Sequence, residues 1–120
     1  MGAGDFLFVL QHPPLYGSLA RAGLDTLLAY GAFELAPTVL FSGAGVLQLA
    51  PDASPGAVGR RDLRRIIDSL PLYDIESVHA DAAALSTFGL DRADLPDFVL
   101  SADDMQIRAL QAAARHIVSF

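Results

Sequence analysis

The sequence contains no cysteine and no lysine. Without a thiol there is no disulfide, no thiolate metal site, no persulfide and no cysteine nucleophile. Without lysine there is no Schiff base and no phosphate-loop lysine. Long apolar runs are missing too, and none approaches the ~20 residues that span a bilayer. The opening MGAGDFLFVLQHPP has no basic region ahead of its short FLFVL segment, so neither a signal peptide nor an anchor is expected. Phe6 stands where N-myristoylation needs Ser or Thr. A cytoplasmic chain without membrane contact is the expectation. Positive charge is scarce: eight arginines face fourteen acids, for a net charge of −6. Such a surface repels a polyanion at long range, which disfavours direct nucleic-acid binding.

What the sequence does have is a high apolar content, 52% of 120 residues. That suits one folded domain over residues 1–120, large enough to bury a core. DFLFVLQ (residues 5–11) reads as a buried strand that His12-Pro13-Pro14 ends. A helix follows, with Ala20, Leu24, Leu27, Leu28 and Gly31 on its apolar stripe and Ser18 able to cap it. APTVLFSG is a second strand, GAGVLQLA a helical turn or two, and PDASPGAVG a loop. RRDLRRIIDSL is an amphipathic helix that ends at Pro71. ESVHAD is a strand, AAALSTFG a helix closed by Gly89, LDRADLPD a loop and FVLS a strand. Ser101 and Asp104 fit the Ser-x-x-acid start of a last helix, with Met105, Leu110 and Ala113 among its apolar positions. HIVSF is the final strand. Short continuous apolar strands alternating with helices call for an α/β fold, a parallel sheet covered on both faces.

Several residues invite a chemical reading. Asp81 stands where a strand passes into an alanine-rich helix, and the simplest role there is an N-cap. His79, two residues earlier on the same strand face, would make a dyad with it in a hydrolase. His12, Tyr16 and Ser18 follow the first strand, at the sheet edge where doubly wound folds bind ligands. With the Gly43–Gly45 turn they could form a small-ligand or anion-binding module. The turn lacks the GxGxxG pattern, and a plain turn is the simpler account. Arg60, Arg61, Arg64 and Arg65 are the one dense basic patch, diluted by Asp62 and Asp68. His12, His79 and His116 have no metal-ligand spacing, so neither a metal nor another cofactor is expected.

Four segments taken in order resemble the TusC/DsrF branch of the DsrE/DsrF-like family. They are HPPLYGSLARAGLDTLLAYGAF, GVLQL, LPLYDIES and the terminal IVSF. The match runs nearly the whole chain in one register. The resemblance implies a three-layer α/β/α sandwich around a five-stranded parallel sheet. It implies a subunit of a hetero-hexamer with TusB-like and TusD-like partners, two copies of each. TusA-like and TusE-like carriers would dock on that complex, which hands persulfide sulfur toward 2-thiolation of the tRNA wobble uridine. A DsrF-like subunit of a sulfur-oxidation complex is the alternative. In that register Asp81 occupies the position of the family's sulfur-carrying cysteine. A carboxylate cannot carry sulfane sulfur, so no catalytic residue is expected and the role would be accessory. Interface or binding residues expected from the resemblance and the loops are His12, Tyr16, Ser18, Tyr73 and Asp74.

Overall fold

The computed structural model describes residues 5–14, 19–51 and 58–120, with side chains in the last stretch from residue 63 onward. Five parallel strands form one sheet in the order β4-β3-β2-β1-β5. They are β1 (Phe6–Leu10), β2 (Thr38–Phe41), β3 (Val78–Asp81), β4 (Val99–Ala102) and β5 (His116–Ser119). The helices are α1 (Leu19–Ala32), α2 (Val58–Asp68), α3 (Ala82–Thr87) and α4 (Asp104–Ala113). This is the expected α/β class and strand number.

The strand order dictates which face each helix covers. The chain steps from β1 to β2 to β3 to β4 in one direction, so right-handed crossovers put α1, α2 and α3 on one side. From β4 it returns across the whole sheet to β5, so α4 must lie on the other side. The core follows this division. Phe8, Leu10, Val39, Phe41, Val78, Ala80 and Val99 pack with Leu24 and Leu27 of α1, Leu63 and Ile67 of α2, and Ala84 and Leu85 of α3. Leu7, Val9 and Leu40 project the opposite way, against Ile107, Leu110 and Ala114. The central strands β1 and β2 are buried on both faces and, apart from Thr38 at the start of β2, apolar, which is why they read as unbroken runs. Phe8 and Phe41 are fully buried, each stabilising the fold by ~1.5–3 kcal/mol through area removed from water. Tyr30 of α1 meets both Phe6 and Phe8 edge-on, with ring centres 5.2 and 4.8 Å apart.

Local chemistry moves some boundaries from their expected places. The helix predicted to start at Ser101 is capped by Asp103, because Ser101 and Ala102 still belong to β4. Asp103 Oδ1 accepts the Gln106 N–H at 2.8 Å, and Gln106 Oε1 accepts the Asp103 N–H at 2.8 Å. Glutamine is long enough to reach back and close this box, where Asp104 would fall short. The α4 stripe is also displaced. Ile107, Leu110 and Ala114 face the sheet, while Met105 is 80% exposed and Ala113 is exposed as well. Pro71 does not simply end α2; it sits in the first turn of a 3₁₀ segment, Leu70–Tyr73. The loop before β4 contains a further 3₁₀ turn, Arg92–Asp94. There the Arg92 guanidinium donates to the carbonyls of Val99 and Asp97, both at 2.6 Å, and fixes the approach to β4.

Candidate functional site

A parallel sheet offers its best binding position at the carboxyl edge, where consecutive connections leave for opposite faces. Here that point lies between β3 and β4, since α3 goes to one face and α4 to the other. Asp81 is the last residue of β3 and stands at this junction. Its backbone is extended, φ −61° and ψ 114°, and its Oδ1 accepts the Ala83 N–H at 3.0 Å. The carboxylate therefore serves as the N-cap of α3, the simplest reading of the sequence. His79 lies on the same strand face but does not bond to Asp81. Its Nε2 meets Ser77 Oγ at 3.2 Å instead. Partial burial draws its pKa below the ordinary 6.5 by removing hydration from the charged form. The hydrolase dyad is not assembled. Among the described residues no group of three or more His, Asp or Glu is placed to hold a metal ion.

His12 leaves β1 at the same carboxyl edge, two strands away from Asp81, or ~10 Å at the usual strand spacing. Its carbonyl accepts the Gln48 Nε2–H at 2.8 Å. Gln48 is only 3% exposed, and its Oε1 has no partner among the described residues; nor has the buried His12 Nδ1. Sequence reasoning missed Gln48. Its signal was a single amide inside the otherwise apolar run GVLQLA. Tyr16 and Ser18 lie outside the described residues. The Gly43–Gly45 turn opens a 3₁₀ segment, Gly43–Leu49, in which Gly45, Val46, Gln48 and Leu49 are buried. The Gly45 N–H donates to Ser42 O at 2.9 Å, so that amide is already taken. A Cβ at Gly45 would come within 2.0 Å of Leu10 O, so only glycine lets the segment cross β1 so closely.

Tyr73 and Asp74 lie before β3, at the opposite, amino edge of the sheet. Asp74 is left-handed, φ 60°, and its N–H returns to Leu70 O and Pro71 O to close the turn. Gly31 of α1 packs on Ile75 just beyond it; a Cβ there would stand 2.8 Å from Ile75 Cδ1. Beside this turn Leu72 is 84% exposed, and Phe33, just past α1, is 78% exposed. The expected binding residues thus fall on two separate edges. The basic patch is partly engaged. Arg64 donates to Asp68 Oδ1 at 3.1 Å and to Leu49 O at 2.6 Å, tying α2 to the neighbouring loop. The side chains of Arg60 and Arg61 lie outside the described residues.

Comparison with known proteins agrees with this architecture. A family model described as DsrE/DsrF-like matches residues 5–120. A Protein TusC homolog of Pseudomonas aeruginosa is 34% identical over 106 residues, 88% of this chain and 89% of that one. Protein TusC of Escherichia coli O157:H7 is 38% identical over 104 residues, 87% of this chain and 86% of that one. Protein TusC of Klebsiella pneumoniae is 41% identical over 86 residues, 72% of each chain. The crystal structure of the ychN protein from E. coli superposes with a TM-score of 0.78 at 15% identity, covering 97% of this chain and 98% of that one, a likeness of fold. The chain belongs to the DsrE/DsrF-like family.

Proposed function

We propose that this chain is a non-catalytic subunit of a TusBCD-like sulfur-relay complex that passes persulfide sulfur toward tRNA wobble-uridine 2-thiolation. The observation that carries this reading is Asp81. In a chain with no cysteine, the residue at the strand–helix junction is a carboxylate already engaged with a helix amide. A chain without a thiol holds no transferable sulfur, so its contribution is shape and contact. The relatives' shared name, TusC, supports the tRNA branch over sulfur oxidation. On this reading the chain works in the cytoplasm as a single domain beside TusB-like and TusD-like partners, TusA-like and TusE-like carriers dock on the assembly, and this subunit does not touch tRNA. The His12 edge and the Tyr73–Asp74 edge are its two docking surfaces.

The test is native mass spectrometry of the full chain co-expressed with a cysteine-bearing paralogue from neighbouring genes. A hetero-oligomer containing both chains is expected. A stable monomer that ignores the paralogue overturns the reading. Deleting the gene should lower 2-thiouridine in tRNA. Intact thiouridine with impaired sulfur oxidation would assign the chain to the DsrF-like role instead.

A further inference from the structure

Among the described residues the α4 face of the sheet is covered by one helix, which rests on β1 and β2 through Ile107, Leu110 and Ala114. Beside it, over β3 and β4, lies a cleft of about 440 Å³. That volume falls within the range of small-molecule sites. The cleft is lined by His79, Leu100, Ser101, Gln106, Ala109 and Leu110. Among the described residues no lining residue is an acid or an arginine, although acids and arginines make up 18% of the chain. His79 adds no charge at neutral pH, because its partial desolvation favours the neutral ring. Leu100 is 58% exposed on a strand, an apolar surface left open to water. Gln106 brings the orienting polar group. Its Oε1 is held by the Asp103 N–H at 2.8 Å, which fixes the carboxamide and leaves its NH2 with no acceptor among the described residues. Apolar walls with a few fixed polar groups are the usual composition of a ligand site.

We propose that this cleft binds a small uncharged molecule with an apolar body, which packs on Leu100 and Leu110 and accepts a hydrogen bond from the Gln106 side chain. A charged ligand would lose hydration there and meet no countercharge. The inference does not rest on the relay reading, since the cleft is on the α4 face and not at either docking edge.

The experiment is an amide-resolved NMR titration of the full chain with benzamide, a neutral aromatic whose carbonyl is an acceptor. Benzoate serves as its charged counterpart. Saturable shifts centred on residues 79, 100, 106 and 110 are expected with benzamide, and about tenfold weaker binding with benzoate. Ala109→Phe, on the exposed side of α4, should fill the cleft and abolish the benzamide response. Leu100→Asp should weaken it independently should the first variant fold poorly. The proposal is overturned if benzamide gives no saturable shift at those amides, if Ala109→Phe with native-like dispersion titrates as the parent does, or if benzoate binds equally well. It also falls if those amides respond only to an added partner chain, because the cleft is then a protein contact.

Discussion

Removing the Asp81 carboxylate would leave the Ala83 N–H without its partner. Asp81→Ala should cost about 1 kcal/mol in urea unfolding, while Asp81→Asn should be nearly neutral because asparagine caps as well as aspartate. That contrast separates the cap from any role of the charge. Gly45→Ala should cost about 3 kcal/mol or more, since the new methyl would collide with the Leu10 carbonyl rather than with a side chain that can turn away. His79 gives a pH signature. Its folded pKa lies below 6.5, so the unfolded chain takes up the proton first as pH falls. Its contribution is complete above 6.5 and is lost as pH descends toward the folded value. Unfolding midpoints measured across that window should decline with acidity, and His79→Phe should flatten the part of the decline due to this group.

At the scale of elements, α4 makes the sharpest case. Ile107→Ala should cost about 1–2 kcal/mol, because the side chain is half-buried against Leu7, Val9 and Leu40. Met105→Ala should change stability by less than about 0.5 kcal/mol, as befits a residue 80% exposed. Paired chemical denaturation would check both. The reason the sequence misplaced this stripe is instructive. Leu110 belongs to both readings, but Met105 and Ala113 are as apolar as Ile107 and Ala114, and a helix with many alanines presents more than one plausible face. Only the capping box at Asp103 fixes the phase, and Ser101 competed for that position on paper. By contrast the α1 stripe was legible, since Leu24, Leu27 and Gly31 stand against charged and exposed neighbours such as Arg21 and Asp25. The central strands were legible for a different reason: burial on both faces leaves continuous apolar runs, Phe6–Leu10 in β1 and the three residues after Thr38 in β2.

For the molecule as a whole, strand order was not written in any local pattern. β5 lies beside β1 although the whole chain separates them, and the pairing depends on the return crossover from β4. The sequence therefore indicated the layers without indicating which helix stands alone on its face. It likewise placed His12 and Tyr73 in one set of candidates, whereas parallel strands carry them to opposite edges. That separation can be tested. Leu72→Arg and Phe33→Asp alter side chains that are already exposed, so each should leave monomer stability within about 0.5 kcal/mol. If the amino edge docks a paralogue, either change should abolish co-purification; retained co-purification would assign docking elsewhere.

In the proposed role, the position of Asp81 also sets how far this chain stands from carrying sulfur. Exchange for cysteine there would put a sulfur atom at the sheet's parting point, beside the amide that now greets an oxygen. The fold would surrender a stabilising clasp of about 1 kcal/mol, and in return the site would answer to alkylating reagents such as iodoacetamide. On the relay reading proposed above, one side chain on an unchanged frame would then separate a subunit that holds no sulfur from one that can.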